Sequence, residues 1–255
     1  MDRLPGEIIE NEIHAPLLFS KIEYAKWGVF FYNENIPHSH SANHAVILET
    51  EAAWEGARFQ KILSDIRDFY MAKRLTPRIF FPFSFSYNYE AFLSLEQNGF
   101  TVLAQKNIIC MVKSRVSDAP GERPLAIREI SCWDDRLTDN IIGADHALYM
   151  PQVLKCSMAS KDYHLFVGHL FEEPASMCAL TMGREVSLLD SVMTGIGFRG
   201  CGFALKTVCH AVKFYEENFS VPLYLLTDNP SALPIYERAG FSPVRFPDVF
   251  YQAFL

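Results

Sequence analysis

The chain has 255 residues, 49% of them hydrophobic, and a formal net charge of −7. That length and apolar content suit one large or two small globular units with a substantial core, and the negative balance offers a polyanion such as DNA no general attraction while tolerating a basic substrate. No apolar run reaches membrane-spanning length, the start MDRLPGEIIENEIH is too acidic and polar for a signal peptide, and six scattered cysteines without a C-x-x-C pair read as reduced, mostly buried thiols of a cytoplasmic protein.

In chain order, a polar start gives way to Ala15-Pro-Leu-Leu-Phe19, a short apolar segment expected to pack as a helix or an extended arm. Residues 24–32 (YAKWGVFFY) read as one strand, 33–43 as a loop from their Asn, Pro and Ser content, and 44–48 as a second strand. His38, His40 and His44 spell H-x-H-x-x-x-H. Imidazole is a common metal ligand, but only Glu34 lies near enough in sequence to complete a set, so local hydrogen bonding is the favoured reading and no metal is expected. Residues 51–75 place Trp54, Phe59, Ile62, Leu63, Ile66, Phe69 and Tyr70 at helical spacing, with Thr76-Pro77 as the stop. Residues 78–85 form an apolar run that suits a buried strand.

A polar stretch, 114–124, separates two apolar patterns and marks a linker. Beyond it lie a strand (125–130) and a mostly helical segment (133–150) with Leu137, Ile141, Ile142 and Leu148 inward, closed by Pro151. Residues 152–162 suit a short helix or loop. Three strands follow, 163–171, 175–182 and 186–194, joined by turns at Glu172-Glu-Pro174 and Gly183-Arg-Glu185.

The last of these strands enters Gly195-Ile-Gly-Phe-Arg-Gly-Cys-Gly202, which opens into a helical pattern with Phe203, Leu205, Val208, Ala211, Val212 and Tyr215 apolar. A strand, a glycine turn and a helix start converge several main-chain N–H groups on one point, backed by the helix dipole. Glycines let the guest approach without a Cβ in the way. The natural guest is a phosphate or pyrophosphate. Gly195, Gly197 and Gly200 spell G-x-G-x-x-G, and Asp228 ends the next strand-like run. A dinucleotide domain, however, needs several more strand–helix units after this turn, and the chain has too few left. A Walker loop fails because no Lys-Ser/Thr follows.

Arg199-Gly-Cys-Gly202-Phe-Ala204 reads instead as R-x-x-G-x-A. Downstream, Asn229, Ala232, Tyr236, Gly240 and Phe241 follow as N-x-x-A-x-x-x-Y-x-x-x-G-F. In this order and spacing the two motifs resemble the GNAT N-acetyltransferase superfamily over roughly residues 125–255. The antiparallel meander before the glycine turn agrees with that resemblance and not with a dinucleotide fold. Asn88, Ala91, Leu95, Gly99 and Phe100 echo the second motif, which suggests an internal repeat. The expected fold is therefore α/β (α+β): mixed, mostly antiparallel GNAT sheets flanked by helices in two tandem halves. Residues 1–116 would be a degenerate GNAT-like domain, 117–124 the linker and 125–255 the acetyltransferase domain. The first half has Glu49-Thr-Glu-Ala-Ala-Trp where the second has its glycine turn, and Leu95 where the second has Tyr236. It is expected to shape the acceptor pocket rather than to bind acyl-CoA.

The resemblance implies that the acetyl-CoA diphosphate lies over Arg199, Gly200, Cys201, Gly202, Phe203 and Ala204, held by main-chain amides. The pantetheine arm would run along Met193 and Thr194. An amide near Val192 or Met193 would polarise the thioester carbonyl. Asn229 and Ala232 belong to the same signature, and Tyr236 matches the family's general acid. The base is open. Strand parity puts Asp190 on one face with Val192 and Thr194, while His164 and His169 are alternatives and Glu185 reads as solvated. The acceptor would be an amine, more readily a small molecule than a protein tail, and the protein a monomer or homodimer with no nucleic-acid or membrane partner. Transfer of a longer acyl group and a non-catalytic acyl-CoA-binding module are the rival readings, with a dinucleotide oxidoreductase behind both.

Overall fold

The computed structural model describes residues 3–49, 56–81, 89–105, 108–118, 124–144, 146–245 and 250–255. The chain forms two compact units that interleave in sequence. The larger comprises residues 1–11 and 109–246, the smaller residues 12–108 and 247–255. The boundary expected within 117–124 therefore does not coincide with that of the compact units. Residues 50–55 and Asn88, on which the expected helix start and part of the repeat rest, lie outside the described residues.

After helix α1 (Leu4–His14) and a 3₁₀ turn (Ala15–Leu18), the smaller unit runs β1 (Lys21–Ala25), β2 (Gly28–Tyr32), β3 (His44–Ile47), α2 (Gly56–Ala72), β4 (Arg78–Phe81), α3 (Tyr89–Gln97) and β5 (Thr101–Gln105). The single strand expected over 24–32 is a hairpin, with Ala25 opposite Gly28 across a Lys26-Trp27 turn. Hydropathy hides this turn because Trp27 is itself buried in the core. Along α2 the apolar stripe Phe59, Ile62, Leu63, Ile66 and Tyr70 is buried against strand residues Phe30, Ile47, Ile79 and Phe81. Phe69 stacks on Phe30.

The larger unit runs β6 (Ile109–Lys113), β7 (Ala126–Ile130), α4 (Met150–Ser157), β8 (Tyr163–Leu170), β9 (Glu173–Thr181), β10 (Ser187–Thr194), α5 (Phe203–Asn218), β11 (Leu223–Thr227), α6 (Leu233–Arg238) and β12 (Phe241–Val244). The helix expected across 133–150 is instead a π-turn (Thr138–Ile142) ended by Gly143 in the left-handed region, followed by α4. Pro151 does not close a helix but sits in the first turn of α4, where its missing N–H costs nothing. Leu137, Ile141 and Ile142 are buried as expected, and Leu148 is exposed. The β8–β9 turn is the two-residue Phe171–Glu172, both at positive φ, one step earlier than Glu172-Glu-Pro174. The apolar face of α5 is buried as its spacing predicts.

The final strand, β13 (Phe250–Phe254), returns to the smaller unit, whose sheet order is β1-β2-β3-β4-β13-β5. The larger sheet is β12-β6-β11-β10-β9-β8-β7. In each, antiparallel strands lead into a strand–helix–parallel-strand step, and a strand distant in sequence is inserted next. The repeat is thus one of topology, and Gly99 and Gly240 share the left-handed conformation after their short helices. No helix among the described residues is long and apolar enough to cross a membrane. All six cysteines are free thiols, with Cys110, Cys178 and Cys209 buried.

A fragment of residues 125–255 lacks β6, the strand that joins β11 to β12, and carries β13 without β4 and β5. It should show no cooperative thermal transition by circular dichroism, whereas the full chain should; a cooperative melt of the fragment would overturn the interleaving. A pH effect is expected from His44. Its Nδ1–H donates to the His40 carbonyl (3.2 Å), and burial pushes its pKa from 6.5 down to about 4. Between those values the unfolded chain binds a proton that the folded ring refuses. Stability should therefore fall as pH drops through this window, by at most roughly 3 kcal/mol from this group. His44→Asn keeps the donor and removes the titration. In urea melts at pH 7 and pH 4.5 the variant should lose measurably less stability than the parent; equal losses would exclude His44 as the cause.

Candidate functional site

The site is built where β10 leaves β11. The two strands pair in parallel only at Ser187↔Leu223 and Leu188↔Tyr224. Beyond Leu188 they part, while β11 stays paired with β6 as far as Thr227 and β10 stays beside β9 as far as Thr194. The outgoing half of β10 thus borders a gap in the sheet, where backbone polar groups are free to meet a ligand.

A β-bulge falls in this half of β10. Asp190 opposes Ala179, yet Met193 opposes Met177, so one extra residue is inserted. Ser191 takes it up at φ 50°, a conformation uncommon without glycine. The bulge changes the parity that the sequence suggests. Across the ladder, Asp190 shares a face with Ala179, Met177 and Met193, whereas Thr194 lies opposite Ser176 on the α5 side, where Ser176 Oγ and Thr207 Oγ1 are 2.5 Å apart. Val192 packs against the core formed with α5 and α6. Asp190 therefore does not share a face with Val192 and Thr194, as strict alternation requires. The Thr194 hydroxyl is buried without a hydrogen-bond partner among the described residues.

The glycine turn follows. A Cβ on Gly195 would lie 2.0 Å from the Asn140 carbonyl oxygen, so only glycine lets the turn pass the π-turn at 138–142. A short 3₁₀ segment (Ile196–Phe198) leads to Arg199, whose Nε donates to the Thr194 carbonyl (3.2 Å). Gly200 and Gly202 have φ of 73° and 79°, and nothing lies within 4 Å of where their Cβ atoms would be. Gly202 caps the N-terminus of the 16-residue α5 without any side-chain acceptor. The first intrahelical bond runs from Lys206 N–H to the Gly202 carbonyl. Among the described residues no main-chain acceptor takes the amides of Gly200, Cys201, Gly202, Phe203 or Ala204. These N–H groups and the helix dipole make a cradle for an anion. Cys201, half-buried, is a free thiol in the middle of it.

Tyr236 lies in α6, on the α5 side of the sheet, buried in the core that Val192 borders. Burial pushes its hydroxyl up to about 12, and Cys178 adds to the shift. Asn229 shapes the approach to this helix: its side chain accepts the Ser231 N–H (3.0 Å) and so caps the 3₁₀ turn Pro230–Ala232 that leads into α6. Ala232 packs against the same core.

The other candidate bases sit elsewhere. His164 Nδ1 is 2.7 Å from Glu129 Oε1, and its ring packs on Phe214 and Phe219 on the α5 side. His169 lies at the far end of β8, close enough to Asp134 and Glu172 to act on both carboxyls. Glu185 is exposed. Among the described residues no three His, Cys, Asp or Glu side chains form a metal-binding group; His38 and His40 are exposed, and His44 is buried. Two residues escape a reading of the sequence. Tyr163 looks like any core aromatic of a strand, but its buried hydroxyl stands beside Ser191 and Asp190. Ser191 matters through its conformation, which no local sequence signal announces.

No protein-family model matches the chain, and no curated protein sequence does. Solved structures do. The chain is similar to a GCN5-related N-acetyltransferase from Kribbella flavida (TM-score 0.68, 14% identity, covering 97% of this chain and 94% of that one). It is also similar to a functionally unknown conserved protein from Staphylococcus epidermidis (TM-score 0.61, 12% identity, 93% and 94%). A third likeness is to a GCN5-related N-acetyltransferase from Sphaerobacter thermophilus (TM-score 0.54, 13% identity, 89% and 76%). With these structures matching it over nearly nine-tenths or more of its length, the chain has the fold of the GCN5-related N-acetyltransferases.

Proposed function

We propose that the larger unit transfers the acetyl group of acetyl-CoA directly to an amine. The observation that carries this reading is the row of unengaged amides from Gly200 to Ala204, set at the end of a strand that has parted from its neighbour. A diphosphate fits the cradle, because the two glycines leave open space and the helix end supplies donors. The pantetheine amides are assigned to the free edge of β10 at Met193 and Thr194. Arg199 must then release the Thr194 carbonyl, and its guanidinium becomes available to phosphate oxygens. A main-chain N–H at the bulge, at Val192 or Met193, would donate to the developing oxyanion.

The reaction is assigned as follows. Asp190 takes one proton from the acceptor ammonium, directly or through water. The neutral nitrogen attacks the thioester carbon, the carbonyl π pair moves to oxygen, and collapse of the tetrahedral intermediate breaks the C–S bond. Tyr236 gives its proton to the departing sulfur, and the second proton lost by nitrogen restores the phenol. The balance is ammonium plus thioester giving amide, free thiol and one released proton. A phenol held near 12 is a weaker acid than an ordinary thiol. Its proton therefore moves in concert with the loss from nitrogen. The smaller unit is assigned a structural role, since the stretch before α2 carries no glycine turn. The compartment assigned to the protein is the cytoplasm.

Binding is tested by thermal shift with acetyl-CoA, and chemistry by thiol release over a panel of amines. Gly202→Asp brings a carboxylate to the helix mouth at a conformation Asp tolerates better than most residues, so folding should change by about 1 kcal/mol or less. Affinity for acetyl-CoA should drop by about a hundredfold through repulsion at the diphosphate. An unchanged affinity removes the cradle from the function. A shift with acetyl-CoA but no turnover on any amine favours the non-catalytic binding module.

Tyr236→Phe should lower kcat by about a hundredfold or more and leave acetyl-CoA affinity within about twofold. Because burial keeps this phenol protonated until about pH 12, the parent's kcat/KM should not decline below about pH 10. A descending limb near pH 9 that disappears in Tyr236→Phe would contradict the raised value.

A further inference from the structure

The segment that spells H-x-H-x-x-x-H has no part in transfer, yet it brings unpaired polar groups together within the smaller unit. Ala45 of β3 pairs in parallel with Ile79 of β4, so His44 and Arg78, one step back, open the two strands side by side. Ala45, Ile47, Ile79 and Phe81 belong to the core under α2, which puts His44 and Arg78 on the opposite face. The His44 ring is 7% exposed and packs against Phe31 and Phe80, with ring centroids at 5.4 and 5.5 Å. Its Nδ1 faces the His40 carbonyl, which can only accept, so the proton sits on Nδ1 and Nε2 carries a lone pair. Nε2 is buried, and among the described residues nothing donates to it. Arg78 Nε and Nη1 are buried too and find no acceptor there. The guanidinium is close enough to His44 and to the exposed His40 to act on both rings. The loop before β3 is tied by its own side chains: Asn43 accepts the Asn33 N–H (2.8 Å) and donates to the Ile36 and Ser39 carbonyls (2.7 and 3.1 Å). A buried acceptor beside two buried donors, all unpaired, is costly unless one guest completes both kinds.

We propose that His44 and Arg78 form an anion site of the smaller unit, independent of the glycine turn, and that its ligand is inorganic hydrogen phosphate. The guest must offer an acceptor to the guanidinium and a donor to the imidazole. Hydrogen phosphate offers both, because it keeps one P–OH at neutral pH beside its charged oxygens. The charged oxygens take the Arg78 N–H groups, and the P–OH donates to His44 Nε2. Sulfate or a carboxylate matches Arg78 but brings no proton, so an oxygen would face the Nε2 lone pair. A phosphomonoester loses its second proton at about pH 6 and fails above it for the same reason. A water satisfies Nε2 but gives the guanidinium no counter-charge. A metal ion is repelled by Arg78. Arg78 is half-buried and His40 exposed, so the guest enters past His40. The site stands whether or not the larger unit transfers an acyl group.

The test titrates the full chain, purified without phosphate, by calorimetry at about pH 7.5, where a monoester is close to doubly charged. The amides of the glycine turn also attract phosphate, so every titration is run in the Gly202→Asp background as well as in the parent. In that background inorganic phosphate should bind with a Kd of about 1 mM or tighter. It should bind at least about tenfold more tightly than sulfate or phenyl phosphate. Arg78→Gln should weaken phosphate by about a hundredfold. In His44→Asn the amide keeps the donor to the His40 carbonyl but ends short of Nε2. This variant should weaken phosphate by about tenfold and erase the preference over sulfate. The NMR signal of the His44 Nε2 nitrogen should move when phosphate is added and stay in place with sulfate. Sulfate or phenyl phosphate bound as tightly as phosphate overturns the ligand class. Phosphate binding that Gly202→Asp abolishes and Arg78→Gln leaves untouched belongs to the glycine turn and overturns the site. No binding to Gly202→Asp at about 20 mM phosphate overturns it as well. If Arg78→Gln does not fold, the other two readouts decide: an unmoved Nε2 signal, or a preference unchanged in His44→Asn, refutes the proposal.

Discussion

The parting of β10 from β11 is the constraint on which the rest of the larger unit depends. Parallel strands normally satisfy each other's backbone groups along their length. Here the ladder stops after Leu188 although β10 runs on to Thr194. The strands are held apart by partners on their outer sides: β9 grips β10 up to Thr194, and β6 grips β11 up to Thr227. The inserted β6 therefore bears on the candidate site, with Met111 and Ile109 in the same core as Tyr236 and Val192. Without that strand β11 would have nothing to hold it away from β10.

The glycine turn solves a second problem in the same few residues. The chain must leave the strand, pass the π-turn at 138–142 and enter α5 with its first amides unobstructed. Gly195 permits the passage, because a Cβ there would fall on the Asn140 carbonyl. Gly200 and Gly202 permit the entry, because both need left-handed φ and neither meets a neighbour. A side-chain cap at Gly202 would satisfy the helix internally and close the cradle. Its absence leaves the donors for a ligand, at some cost to the stability of the isolated helix.

Much of this is legible in the sequence where the signal is local. The α5 stripe, the meander of β8, β9 and β10, and the glycine turn all fall at nearly the expected residues, because periodicity and glycine spacing report directly on local geometry. What stays hidden depends on other parts of the chain. The exchange of β6 and β13 between the sheets leaves no mark in either strand, since a central strand is apolar whichever sheet it enters. The Phe171–Glu172 turn has left-handed residues without glycine or asparagine, so turn chemistry misplaces it by one position. The two-strand hairpin at Lys26-Trp27 is masked by a buried tryptophan. At the site the error is one of parity. Alternation is a sound rule until a bulge inserts a residue, and the bulge at Ser191 has no glycine to betray it.

That shift in parity has a chemical consequence. With strict alternation beyond Asp190, Val192 and Thr194 would lie with it on the face turned away from α5. With the bulge, Val192 and Thr194 turn to the α5 side, where Tyr236 lies, while Asp190 stays on the opposite face of the sheet. A carboxylate beside Tyr236 would push the phenol higher still, whereas the shift it now carries comes chiefly from burial. The single inserted residue thus sets Asp190 and Tyr236 on different faces of the sheet, the arrangement on which the proposed division between base and acid relies.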